Sequence, residues 1–154
     1  MKKWSDIFFD SLYSVGVQCA TINRVNGWLE TAIISKRVCF MKSATYELSK
    51  NFYFIGIDPS KMNDSGDLVV ICGGLRDSLK DIFLIPWHEF FQTISMGEAI
   101  NTDKLPKVYY QYKFKIHFID SDWKMVVQGG EKPSKSISKW YYEPRAAVDF
   151  FNNI

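Results

Sequence analysis

Between positions 109 and 118 the sequence alternates without interruption. Tyr110, Tyr112, Phe114, Ile116 and Phe118 hold one parity, and Tyr109, Gln111, Lys113, Lys115 and His117 hold the other. Successive side chains of a strand point to opposite faces, so this pattern specifies a strand with one face in a core and one in water. Such a strand needs neighbours to complete its backbone hydrogen bonds, which commits the chain to a fold built on a sheet. Asp120-Ser121-Asp122 reads as the following turn, residues 123–128 as the partner strand, and Gly129-Gly130 as its end.

Further strands are legible upstream. Residues 17–25 and 28–35 are two β-rich runs on either side of Asn26-Gly27, a pair that tolerates the positive φ of a tight hairpin turn. Residues 37–43 read as a third strand. The run FYFIGID, residues 52–58, has no polar side and is expected to be buried on both faces, as are residues 67–72 before Gly73-Gly74. Residues 81–85 are another strand. Three helices complete the outline. Ser5-Asp6 is the expected cap of the first, with Trp4, Ile7, Phe8, Leu12 and Val15 at helical spacing and Gly16 as its stop. Pro86 suits the opening of a second helix with Trp87, Phe90, Phe91 and Ile94 inward, and Pro144 opens a third with Ala147, Val148 and Phe151 inward. Residues 101–107, polar and carrying Pro106, are the expected hinge, and residues 133–139 a Lys/Ser loop. The whole is expected to be one α+β domain: a mixed central sheet with an N-terminal hairpin, flanking helices and a basic C-terminal hairpin. A closed antiparallel pseudobarrel resembling the B3-like DNA-recognition domains satisfies the same strand count.

Composition narrows the function classes. With 47% hydrophobic and 23% charged residues the 154-residue chain is ordinary for a globular domain, whereas 16% aromatic residues is a surplus that suits strands and interfaces. Cys19, Cys39 and Cys72 are far apart within apolar runs and read as reduced core thiols. With no apolar stretch behind Met1-Lys2-Lys3 and no 18-residue apolar span, a cytoplasmic protein without membrane attachment is expected. Charge is uneven. Residues 104–154 carry nine Lys/Arg against five Asp/Glu, a net +4, which leaves ten against twelve, a net −2, for residues 1–103. No phosphate-cradling glycine loop occurs, and His88 and His117 lack metal-ligand spacing, so neither nucleotide hydrolysis nor a zinc site is expected.

The succession RVCFMKSA (37–44), FYFIGID (52–58), DLVVICGG (67–74) and DIFLIPWHEF (81–90) resembles the restriction-endonuclease-like superfamily of PD-(D/E)XK nucleases. The likeness spans residues 37–90. It implies a nuclease-like fold acting on double-stranded DNA in a restriction or defence system. In that family an acidic residue and an E/Q-x-K pair hold Mg²⁺ and polarise the attacked phosphate. By resemblance Lys42 takes the lysine position and Glu30 stands in for the first acid. Phe40, however, occupies the position of the second acid, so the resemblance implies the fold more than the cleavage. No resident cofactor is otherwise expected.

A second group of residues arises from the alternating strand itself. Lys113, Lys115 and His117 lie on its water-facing parity, Lys124 on the partner strand, and Lys132, Lys135 and Lys139 in the loop beyond, with Arg24 and Arg37 as a second contact element. Lysines interleaved with aromatic and amide groups suit phosphate contacts. The plain alternative is that these lysines protect an edge strand from aggregation. The combined expectation is DNA binding, acting as a homodimer or with a partner subunit. A metal-dependent endonuclease and a protein-interaction module without nucleic-acid affinity are the rivals.

Overall fold

The computed structural model describes residues 3–25, 29–57, 66–95, 100–104, 107–128 and 134–153, with the backbone alone described for 23–25, 29, 100–104 and 107–111. In chain order the elements are α1 (Trp4–Ser14), β1 (Cys19–Val25), β2 (Leu29–Ile34), β3 (Arg37–Glu47), β4 (Phe52–Ile57), β5 (Leu68–Leu75) and β6 (Ser78–Pro86). They continue with α2 (Trp87–Ser95), β7 (Ile100–Lys104), β8 (Lys107–Ile119), β9 (Asp122–Val127), β10 (Ser134–Ser136), a 3-10 turn (Ser138–Trp140), β11 (Tyr141–Tyr142) and α3 (Pro144–Asn152). The fold is α+β, as expected. Its strands form one curled mixed sheet in the order β10-β9-β8-β4-β3-β5-β6-β11, with β2 also on β3, β1 on β2 and β7 on β8. The β3–β5 pair is parallel and every other described pair is antiparallel. Among the described residues β10 and β11 do not pair with each other, so the ladder stays open, unlike a closed antiparallel barrel.

β3 is the joint of the sheet. Its residues 37–41 pair with β2 and 39–45 with β5, whereas Tyr46 and Glu47 pair with β4. The strand thereby leaves one layer and enters another. Between the layers lie Phe40, Ile71, Phe83 and Ile85 of the first and Tyr53, Ile55, Phe114 and Ile116 of the second, with Phe90 and Ile94 of α2 among them. The far side of the first layer, lined by Met41, Val70, Ile82 and Leu84, is covered by Phe8 and Leu12 of α1 and by Ala147 and Phe151 of α3. β5 is therefore buried on both faces, which explains its unalternating apolar sequence. Among the described residues nothing comparable covers the second layer. α2 meets it only from inside, through Phe90 against Phe114 at 5.7 Å between ring centroids.

One buried polar cluster ties the layers together. Asp81 of β6, 2% exposed, accepts hydrogen bonds from Tyr53 of β4 at 2.5 Å and Tyr141 of β11 at 2.8 Å, and Lys80 Nζ lies 3.7 Å away. A carboxylate taken from water needs such partners. Burial, then the Asp81 carboxylate, push both phenols above their ordinary pKa, so each remains a donor.

Several local expectations are corrected. The cap of α1 is Lys3, not Ser5: Lys3 N donates to Asp6 while Ser5 N donates to Ser43 Oγ across to β3. Gly16, at φ +80°, does end the helix region. β1 and β2 pair as the foreseen hairpin, with Val25 opposite Leu29, and the Asn26-Gly27 turn lies outside the described residues. The expected hinge at 101–107 instead holds β7 and the start of β8, with Lys104 opposite Lys107, so hydrogen-bonded pairing overrode the polar sequence. The expected loop at 133–139 contains β10, whose residues find free hydrogen-bonding positions along β9. Phe91 is exposed, and so is Phe118, where β8 runs past the start of β4 while still paired with β9. Most consequentially, β4 is not buried on both faces: Tyr53, Ile55 and Ile57 are inside and Phe54 is 40% exposed. No helix of the described chain is long and apolar enough to cross a membrane.

The approach of Gly73 to Tyr53 gives a first test. A Cβ there would lie 2.5 Å from Tyr53 Cζ and 2.7 Å from its hydroxyl oxygen, and that ring is held by the core and Asp81. Gly73→Ala is expected to cost about 1–3 kcal/mol through overpacking, read as a lower urea midpoint; an unchanged midpoint would mean the ring is free to retreat.

Candidate nucleic-acid interface

Register fixes which side chains share the uncovered face of the second layer. In β4 and β8, Phe52 is opposite His117, Phe54 opposite Lys115 and Gly56 opposite Lys113. Across to β9, His117 is opposite Lys124 and Lys115 opposite Val126; in turn Lys124 faces Ser136 of β10. Directly opposed residues of an antiparallel pair point to one side, so these residues form one surface. Lys113, Lys115, His117 and Lys124, four of the residues singled out from the sequence, are thereby brought together. Phe52 and Phe54 join them unforeseen.

The electrostatics of this face are one-sided. Among the described residues none of Lys113, Lys115 and Lys124 has a carboxylate within ion-pair distance. Lys115 Nζ instead sits 4.8 Å from the centroid of Phe52, a cation–π contact that steadies the ammonium group without neutralising it. Burial, followed by Lys115 and Lys124, holds the His117 imidazole below its usual pKa. Among the described residues the acids lie at the margin. Glu47, opposite Phe52, is 3.5 Å from Lys50, and Asp122 accepts hydrogen bonds from Ser136 at 2.7 Å and from Ser138. The Ser138 and Ser136 hydroxyls keep the Asp122 carboxyl below its ordinary range.

β8 lies between β4 and β9 over this stretch, so Lys113 and Lys115 are not edge lysines, and protection against edge-to-edge pairing does not account for them.

The remaining sequence candidates fall elsewhere. Lys135, opposite Met125, points to the other face and binds Glu89 at 2.5 Å, an interaction that draws the Glu89 carboxyl pKa down. Lys139 and Lys135 flank the Trp140 ring, at 4.6 and 5.3 Å from its centroid. Arg37 lies over Phe150 of α3 at 5.4 Å, on the helix-covered side of the molecule. The Arg24 side chain and Lys132 are outside the described residues. His88 is exposed on α2.

Glu30 and Lys42 stem from opposite parities of the sheet. Glu30 is opposite Met41, which faces α1, and its Oε1 accepts from Lys3 Nζ at 2.8 Å. Lys42, the next residue along β3, takes the opposite side with Phe40 and Ala44. The donor set around Lys42 does not suit a divalent cation, since Phe40 presents carbon where the second acid would stand. Among the described residues no group of three or more His, Cys, Asp or Glu converges as metal ligands. A cleft of about 480 Å³ opens beside the start of α1, between Trp4 and Arg76, but its polar walls bind one another, as in Trp4 Nε1 to Thr45 Oγ1 at 2.9 Å.

Fold and face together define an α+β protein with a two-layer curled sheet, helices on one side, and a bare cationic and aromatic sheet surface on the other. No family model, curated protein or solved structure matches the chain.

Lys42 yields a second test. Burial, and then the neighbouring Lys3, lower its pKa from 10.5 to about 8. The unfolded chain takes up this proton at the higher value, so stability from the neutral amine is present above pH 10.5 and lost as pH falls through this window to about 8. Relative to Lys42→Met, the parent is expected to gain stability as pH rises across that interval, measured as the difference between their urea midpoints. Parallel profiles would contradict the burial of the ammonium.

Proposed function

We propose that this chain binds nucleic acid through the outward face of β4, β8 and β9, as a cytoplasmic protein whose phosphate contacts come from Lys113, Lys115 and Lys124 with His117 among them. One observation carries the reading: three lysines without ion-pair partners among the described residues share a face with the exposed Phe54 and half-buried Phe52, and two of them sit on an interior strand. Unpaired lysines at strand spacing recognise a repeating polyanion by exchanging its condensed counterions for protein charge. Aromatic side chains between them add contacts to the bases. The sequence resemblance pointed toward restriction-type DNA recognition, and the nucleic-acid part of that expectation is retained. The endonuclease reading is the weaker rival, because Phe40 stands where the resemblance calls for a second acid.

A salt titration tests the proposal. Binding to a mixed-sequence oligonucleotide should weaken steeply with salt, and Lys113→Gln or Lys115→Gln should each reduce the log–log slope by about one. Lys135→Gln should leave it unchanged, since that ammonium is engaged by Glu89. Equal effects from Lys115 and Lys135, or no binding at low salt, would refute the assignment of the face.

His117 adds a pH signature. Its depressed pKa means that it is neutral near neutrality and gains charge on acidification. A bound polyanion favours the charged form, so affinity should rise on acidification. His117→Gln should remove that increment, and its persistence in the variant would assign the effect to another group.

A further inference from the structure

Resting on the nucleic-acid reading above, we infer that the preferred ligand is a single strand whose bases stack on Phe54 and Phe52, rather than an intact duplex. Phe52 and Phe54 stand on one face of β4, their centroids 6.4 Å apart and their rings tilted by 54°. At that tilt the rings cannot sandwich a single base as two parallel plates would; Phe54 offers an open surface, and the half-buried Phe52 shares its ring with Lys115. Phe54 is 40% exposed, and no other ring pairs with it among the described residues except Phe52.

The cations are placed to serve those surfaces. Lys115 is the direct cross-strand partner of Phe54 while its ammonium reaches over Phe52. A phosphate drawn to Lys115 thus has its base beside Phe54. Lys113 follows one pleat further along β8, opposite Gly56, where no side chain stands between the lysine and the neighbouring strand. Successive phosphates and bases of an extended strand would meet an alternation of ammonium and phenyl groups at the spacing of the sheet.

A duplex fits this surface poorly. Its bases present edges in the grooves while their flat faces are stacked on one another, so a phenyl ring gains contact only by wedging between base steps, which costs a few kcal/mol. Four strands at about 4.8 Å spacing, β4 to β10, span roughly 14 Å between outer backbones, wider than the ~12 Å major groove. Unstacked bases carry neither penalty, and every base has a π face, so the preference is for strandedness and not for sequence.

Four probes, each titrated against the full chain at one low salt concentration, separate the possibilities by fluorescence anisotropy: an oligothymidylate, a sugar–phosphate oligomer of the same length lacking bases, a duplex hairpin, and polyglutamate. A length of about twelve nucleotides lies within the site sizes of comparable surfaces. The oligothymidylate is expected to bind tighter than the baseless oligomer by about five- to 150-fold for each base stacked. Phe54→Leu should weaken oligothymidylate binding by about one such factor and leave the baseless oligomer unchanged; Phe52→Leu repeats the test at the second ring. Lys115→Gln should weaken both alike. Equal affinity for the oligomers with and without bases, or tighter binding of the hairpin, overturns the single-strand inference while the nucleic-acid reading stands. Polyglutamate binding as tightly as the oligothymidylate reduces the face to a charge-only surface and overturns both, as does the absence of binding to every probe.

Discussion

A buried carboxylate fixes the architecture on which the outer face depends. Asp81 reaches from the first layer and is held by the hydroxyls of Tyr53 in the second layer and Tyr141 at the far edge of the first. Removing either donor leaves an under-satisfied charge in the core, at a cost of about 1–3 kcal/mol. The cluster therefore selects the orientation of β4. With Tyr53 turned inward, the pleat turns Phe52 and Phe54 outward, and a slip of one residue would reverse every side chain of the strand. Pairing then transmits the choice to Lys113 and Lys115 on β8 and to Lys124 on β9.

The two layers differ in what covers them. The first lies between helices and the second layer, so its central strands are apolar on both faces. The second has one such face only. Its other surface meets solvent, and an antiparallel layer in that position ordinarily alternates apolar-in with polar-out. β8 and β9 do so. β4 departs by showing phenyl rings where polar side chains would suffice for folding, and its neighbour β8 supplies cations that no described acid neutralises. Function is sought in this departure because core packing explains neither the outward phenyls nor the interior-strand lysines.

Periodicity read alone recovered the elements whose environment is uniform along their length. The alternation in β8, the two-sided burial of β5 and the Pro144 helix start needed only local chemistry. Failures came where partners decide. FYFIGID is apolar at nearly every position, and pattern cannot distinguish a strand buried on both faces from one that displays phenylalanine to solvent; its pairing with β8 decides that. The polar residues of β7 and β10 became strands through hydrogen bonding to established neighbours. Of the cationic candidates, those on the periodic strand and its partner gathered on one face. Lys135 was diverted by Glu89, a residue 46 positions away whose proximity no local pattern could announce. Glu30 and Lys42 were set on opposite parities by the elementary geometry of strands, since Glu30 is registered with Met41 and neighbours on a strand face opposite ways.

The claim that the uncovered face is the binding surface is tested most directly by a hydrogen-exchange footprint of the full chain with and without an oligonucleotide. The account predicts added protection in β4, β8 and β9, at residues 52–57, 113–119 and 122–127, with α1, α3 and the Glu89–Lys135 contact unchanged. Protection centred on the helices or on the cleft beside Trp4, with the β4–β8–β9 face unaffected, would contradict it.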